Sequence, residues 1–334
     1  MRVLFAGSPA IAVPALEALL SGGSGEGVVM AALLTNPDSL KRRSAAKAAY
    51  SKPEPTECAA AVQRFAMPPG VIPILKPEKL DTAAREQVAA LKPDLLVSFA
   101  YGKIFGPKFL ALFPLGGINI HPSLLPKYRG PTPIPAAIIN REAETGITIQ
   151  RLAPKMDSGD ILVQETVPLN GRETTVSLSE TMAKKAAELL PAALRAIAGG
   201  TAQARAQDHG AATYCSLIAK EDGHIDWSRN AADIDARIRA FDPWPLSWTR
   251  HGVLDLCILK AEALDQNGRT PVLPGQVLGK DAKKGILIQT GEGILAVSEL
   301  QYRTKKALQW KAFVNGTVGA AAAGTRNFFE TRLG

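Results

Sequence analysis

The sequence is poor in the residues on which several function classes depend. Cysteine occurs three times in 334 residues, at Cys58, Cys215 and Cys257, with no C-x-x-C among them. That argues against a disulfide framework and a thiolate metal site, and reads as separate buried thiols in a reducing compartment. The four histidines have no ligand spacing, so no metal is expected. No run of 18 apolar residues occurs, which argues against a membrane span. The opening stretch MRVLFAGSPAIAVPALEALL is apolar enough to suggest a signal peptide. Pro9, Pro14 and Glu17 break its run and its second half has the period of a helix, so a cytoplasmic protein is expected instead. The turn after the first apolar run holds one glycine, not G-x-G-x-x-G, which leaves a dinucleotide cofactor poorly supported. No internal repeat is present.

What remains is an ordinary globular composition, 46% hydrophobic and 21% charged, with a net charge of +8 and a pI near 9.4. A basic excess of this size leans mildly toward an anionic partner. The length suits two domains. Short apolar runs at Val3 to Ala6, Val28 to Thr35, Val71 to Leu75, Asp94 onward and Gly117 to Ile120 alternate with helical stretches at Ala10 to Leu20 and Lys79 to Leu91. That alternation predicts an α/β, Rossmann-like, mostly parallel sheet with helices on both faces. A helix over Glu173 to Ile197 closes it. A small, polar, aperiodic stretch then reads as a linker. Beyond it, a helix capped by Asn230 precedes strand-like runs divided by glycine turns, the pattern of a small antiparallel barrel. The expected division is 1–199 for the first domain, 200–219 for the linker and 220–334 for a C-terminal OB-like domain.

The stretch NIHPSLLPKYRG, residues 119 to 130, is the richest in chemistry. Asn119 and His121 end a buried strand two residues apart, so they share a face and can converge on one oxygen. That is the arrangement of an oxyanion site. It is also the arrangement of a polar cap on a turn. TGITIQRLAPKMDSGDILVQE reads as a hairpin whose turn carries Asp157. There a carboxylate can orient His121 or accept a proton, or simply serve the turn.

FAGSPAIAVPALEAL, SFAYGKIF, INIHPSLLPKYRG and TGITIQRLAPKMDSGDIL resemble, in this order, the motifs of the folate-dependent formyltransferases. RIRAFDPWPLSW and the barrel pattern resemble the C-terminal domain of the branch that acts on initiator tRNA. The resemblance implies formyl transfer from 10-formyltetrahydrofolate to the α-amino group of methionyl initiator tRNA, without a metal. It assigns catalysis to Asn119, His121 and Asp157. It assigns folate contacts to Ser123, Leu124, Leu125 and Pro126, and to the Tyr101, Gly102 and Ile104 stretch. A sugar-nucleotide N-formyltransferase using the same donor is the alternative. A protein that holds tRNA without transferring formyl fits less well, because the catalytic set is intact.

The basic residues fit an RNA partner. Lys41, Arg42, Arg43 and Lys47 form an acid-free run, and the tRNA-acting branch implies acceptor-stem contact there. Lys283 and Lys284, with Lys280, Arg303, Lys305 and Lys306, make a candidate second patch on the barrel. Runs of this kind also serve solubility alone. The chain departs from the tRNA-acting pattern at Pro122 and at Pro131-Thr132-Pro133. A monomer is expected.

Overall fold

Val3, Leu4, Phe5 and Ala6 are all fully buried, which requires a strand covered on both faces. They form β1, Arg2–Gly7, inside a seven-stranded sheet. The computed structural model describes residues 1–22, 27–39, 53–65, 71–264, 272–303, 305–321 and 332–334. Lys41, Arg42, Arg43 and Lys47 lie outside the described residues. After β1 come a 3-10 turn at Ala10–Ala12 and α1, Val13–Leu20, whose Leu16 and Leu19 are buried. Then follow β2, Val29–Leu34; α2, Glu57–Phe65; β3, Ile74–Leu75; α3, Thr82–Ala90; β4, Leu95–Phe99; and α4, Pro107–Leu110. The strand expected from Val71 is only two residues long. Val71 itself is exposed, and Pro73 has no amide hydrogen with which to extend the ladder.

The sheet order is β3-β2-β1-β4-β5-β6-β7. β1 through β5 run parallel. β5, Gly117–His121, pairs antiparallel with β6, Glu144–Arg151, and β6 pairs antiparallel with β7, Ile161–Pro168. The chain leaves β1 toward one edge and returns at β4 on the other side. Beside that reversal, at the carboxyl ends of the parallel strands, such sheets bind ligands. β5 ends there on His121. Its register sets Asn119 opposite Gln150 and His121 opposite Thr148.

Two compact units divide the chain. The first comprises Met1–Pro133, Glu144–Pro168 and Ser179–Cys215, and the second Ile134–Ala143, Leu169–Leu178 and Ser216–Gly334. The expected division was sequential, whereas these units interleave. Two helices, α5 at Pro133–Ile139 and α6 at Thr175–Ala198, cross the boundaries. Residues 201 to 215, expected as linker, belong to the first unit. Arg205 there exchanges both backbone hydrogen bonds with Ile161 of β7.

In the second unit, Asn230 caps α7, Ala231–Ala240, by accepting the Asp233 amide at 2.8 Å, as its sequence suggests. The strands are β8, Ser247–His251; β9, Leu254–Leu264; β10, Val277–Asp281; β11, Gly285–Gln289; β12, Ile294–Tyr302; and β13, Leu308–Gln309. They form one antiparallel, OB-like barrel sheet, ordered β10-β11-β12-β9-β8 with β13 on β12. Leu256, Ile258, Ile286, Leu295, Val297 and Phe313 of α8, Trp310–Ala321, lie in its core. The inserted segments are fastened within this unit. Arg141 pairs with Asp233 at 3.2 Å, Arg239 donates to the Glu173 carbonyl at 2.9 Å, and Thr175 donates to the Ala240 carbonyl at 2.6 Å. Among the described residues, no helix is long and apolar enough to cross a membrane.

Candidate active site

Ile118 and Ile120 of β5 turn into the core, so Asn119 and His121 share the other face. Both meet Asp157, which sits in the loop between β6 and β7. Asn119 Nδ2 donates to Asp157 Oδ1 at 3.3 Å, and His121 Nδ1 lies 3.6 Å from the same oxygen. Gln150 Nε2 also donates to Oδ1, at 3.0 Å, while the Gly130 amide donates to Oδ2 at 2.8 Å. One carboxylate thus joins β5, β6 and the turn after β5.

The loop holds Asp157 at φ +49, a left-handed conformation that costs a side-chain-bearing residue energy and persists only where the surroundings enforce it. Gly159 lets the loop fold back. A Cβ there would lie 1.9 Å from the Arg151 carbonyl oxygen. Gly130, at φ +116, is held as tightly: a Cβ would lie 2.2 Å from the Cys215 carbonyl oxygen.

The surroundings of His121 define its tautomer. Its Nε2 is 2.9 Å from the Tyr128 carbonyl oxygen. A carbonyl only accepts, so Nε2 carries the hydrogen and donates it. Nδ1 is therefore the nitrogen that faces Asp157 and the site. Cys215, only half-buried, also points its thiol at the Tyr128 and Arg129 carbonyls, at 3.7 and 3.4 Å. Burial raises that thiol above the ordinary range. Cys58 is fully buried, and burial pushes it up to about 12.

The proline-framed turn is fixed from behind. Thr148 Oγ1 donates to the Ser123 carbonyl at 2.7 Å, Gln164 Nε2 donates to the Leu125 carbonyl at 2.8 Å, and Ser123 Oγ donates to the Lys127 carbonyl at 2.6 Å. The side chains of Ser123 and Leu125 are consequently buried. Pro122, Leu124 and Pro126 are the partly accessible surface. The stretch after β4 behaves differently from residue to residue. Tyr101 is 2% exposed, stacked on Phe105 in the core, and burial pushes its phenol up to about 12. Its side chain is therefore turned inward, contrary to the expectation that it lines a pocket. Gly102 leaves open space, and Ile104 is 80% exposed.

On the barrel, Asp281 Oδ1 accepts the amides of Lys283 and Lys284, each at 2.8 Å, which shapes the β10–β11 turn and leaves both side chains exposed. Those amides hold the Asp281 carboxyl below its usual range. Lys280, Lys305 and Lys306 are exposed too. Arg303 is engaged elsewhere, 3.4 Å from Asp255 and over the Trp248 ring. Among the described residues no group of three His, Cys, Asp or Glu side chains gathers to hold a metal.

Sequence reasoning missed three buried polar residues of this site: Arg129, Gln150 and Gln207. Gln207 Nε2 contacts the Gln150 side-chain oxygen at 3.2 Å and the carbonyls of Asp157 and Gly159 at 3.0 and 2.6 Å. Arg129 donates twice to Gln207 Oε1, at 3.1 and 2.7 Å. For Gln150 a signal existed. Thr148 and Gln150 alternate with the buried Ile147 and Ile149 in β6, which puts their polar groups on the face that meets His121 and Asn119.

Comparison with known proteins bears on this geometry. Residues 1–194 match the family described as formyl transferase, and residues 217–318 match formyl transferase, C-terminal domain. The chain is 47% identical to methionyl-tRNA formyltransferase of Treponema denticola, over 95% of this chain and 97% of that protein. An N-formyltransferase from Helicobacter canadensis, solved with folinic acid and dTDP-3-aminofucose, gives a TM-score of 0.60 at 20% identity. The match covers 89% of this chain and 99% of that one. HypX from Aquifex aeolicus, solved with tetrahydrofolic acid, gives 0.60 at 17% identity over 95% of this chain, which spans 47% of HypX. At such identities these two structures speak to the fold.

Proposed function

The chain belongs to the formyl transferase family, and from that premise we infer that it moves the formyl group of 10-formyltetrahydrofolate to the α-amino group of methionine on initiator tRNA. The observation that carries the chemistry is the convergence of Asn119 Nδ2 and His121 Nδ1 on Asp157 Oδ1. The near-full-length identity with a methionyl-tRNA formyltransferase supports the acceptor.

The amine nitrogen attacks the formyl carbon, the bond from that carbon to folate N10 breaks, and the proton lost by the amine ends on N10. Negative charge gathers on the formyl oxygen. Asn119 has a second amide hydrogen beyond the one given to Asp157, and that hydrogen serves the oxygen. His121 serves it through Nδ1, because Nε2 is committed to Tyr128. Asp157 also guides the departing amine proton, directly or through a water.

The folate rests against Pro122, Leu124 and Pro126 and against Ile104. These residues fit a flat heteroaromatic ring, since they offer apolar surface beside a strand end rich in donors. Ser123, Leu125 and Tyr101 hold that wall from behind, and Gly102 leaves the ring room. Lys283 and Lys284 contact tRNA phosphates, as do Lys41, Arg42, Arg43 and Lys47. The net charge of +8 suits both an RNA partner and a monomer that repels its own copies. The cytoplasm is where charged initiator tRNA and reduced thiols coexist.

The test supplies the protein with 10-formyltetrahydrofolate and, separately, methionyl initiator tRNA or an amino-sugar nucleotide. Formyl-methionyl-tRNA is the expected product. Formylation of the sugar alone would assign the acceptor to the other branch.

A further inference from the structure

Asp157 occupies a backbone conformation that an L-residue abandons unless it is held, and its own carboxylate contacts do not explain the holding of the backbone. Gln207 does. Its amide nitrogen reaches the carbonyls on both sides of Ser158, at 3.0 Å to Asp157 and 2.6 Å to Gly159. Gln207 lies fifty residues downstream of Asp157, in the segment that crosses back over β7.

The orientation of that amide is dictated in turn. Arg129 has only donors, and its Nε and Nη2 both reach Gln207 Oε1. The oxygen must face Arg129, so the two hydrogens must face the loop. Gln150 is dictated by the carboxylate: Asp157 Oδ1 only accepts, so Gln150 Nε2 donates to it at 3.0 Å, and the Gln150 oxygen turns to Gln207 Nε2 at 3.2 Å, which shares its two hydrogens between that oxygen and the loop carbonyls. Arg129, Gln150 and Gln207 are 3%, 1% and 6% exposed, so water offers little substitute. Arg129 completes its own contacts with His209 Nδ1 at 2.9 Å and the Tyr214 hydroxyl at 3.3 Å, all within the first unit.

We propose that Gln207, oriented by Arg129, is a positioning residue for the formyl transfer: it fixes the Asp157 loop and, through Gln150, the carboxylate oxygen that Asn119 and His121 share. The inference rests on the function assigned above. It separates the two ends of the side chain. The oxygen serves the fold through Arg129, and the nitrogen serves the site.

Gln207→Glu isolates the second role, because a carboxylate keeps the Arg129 pair but has no hydrogens for the loop. Gln207→Ala removes both. For each variant three quantities are measured: the thermal midpoint, kcat and both KM values, and hydrogen–deuterium exchange of the amides in 152–160. In Gln207→Glu the midpoint falls modestly, both KM values stay near wild type, kcat falls by about tenfold to a hundredfold, and exchange accelerates in that loop while β5 stays protected. Gln207→Ala shows the same kcat loss with a lower midpoint. A kcat for Gln207→Glu within about twofold of wild type, or unchanged loop exchange, overturns the proposal. So does a rise in KM that accounts for the whole loss, or a Gln207→Glu protein that fails to fold. Should the wild type formylate no acceptor at all, the assigned function fails, and the exchange measurement still decides whether Gln207 holds the loop.

Discussion

Gly130 gives its amide to Asp157 Oδ2 at 2.8 Å, while the Cys215 carbonyl oxygen occupies the space in which a side chain on Gly130 would begin. The residue is pinned between the site and the segment that crosses it. Gly130→Ala must move one or the other, and its φ of +116 is itself hostile to alanine. We expect a loss of about 3 kcal/mol in unfolding free energy and a kcat loss that exceeds any change in tRNA affinity. Chemical denaturation and steady-state kinetics measure the two.

On the proposed mechanism, Asn119→Ala and His121→Ala each remove a group aimed at the formyl oxygen. Each lowers kcat by about 10² to 10³ and leaves tRNA binding nearly unchanged. Filter binding alongside single-turnover assays separates the effects. A large loss of tRNA affinity would instead mark the pair as structural.

Replacing Lys283 and Lys284 with alanine tests the barrel surface. Neither side chain supports the turn, since Asp281 holds only their amides, so the fold should persist. If both contact phosphate, the slope of log affinity against log salt flattens by about 1 or more. An unchanged slope removes this turn from the interface.

His251 carries a pH signature. Burial lowers its affinity for a proton below the ordinary imidazole value near 6.5, and its Nδ1 lies 2.6 Å from the Tyr302 hydroxyl. The unfolded chain then binds the proton more readily than the folded one. Stability from this site is full above about pH 6.5 and is lost as pH falls through the lower, folded value. Thermal midpoints measured from pH 8 to 5 should decline on the acid side. His251→Gln should decline less.

Much of the fold was legible because its signals are local. Buried parallel strands announce themselves as short apolar runs, and Asn230 announces a helix start. The core of the candidate site was legible for a related reason: the strand period alone puts Asn119 and His121 on one face, and the hairpin pattern finds the Asp157 loop. Gln207 was illegible because its partners, Arg129, Gln150 and the Asp157 loop, lie 78, 57 and about 50 residues away. No periodicity encodes contacts of that range, and the surrounding AQARAQDHGAAT has the composition of a tether. Tyr101 misled in the other direction. The family resemblance assigned it a folate contact, whereas its side chain packs with Phe105 and Phe109 in the core.

The interleaving of the two units limits how this protein can be recombined. A chimera joined near residue 216 would exchange the barrel while leaving Arg141, Arg172 and Thr175 behind, and with them the grips on Asp233, Glu262 and Ala240. Segments 134–143 and 169–178 travel with the barrel in a physical sense although they are encoded ahead of it. Descent in this family should therefore favour inheritance of the chain as one piece, with changes at Arg141 and Arg172 matched by changes at Asp233 and Glu262.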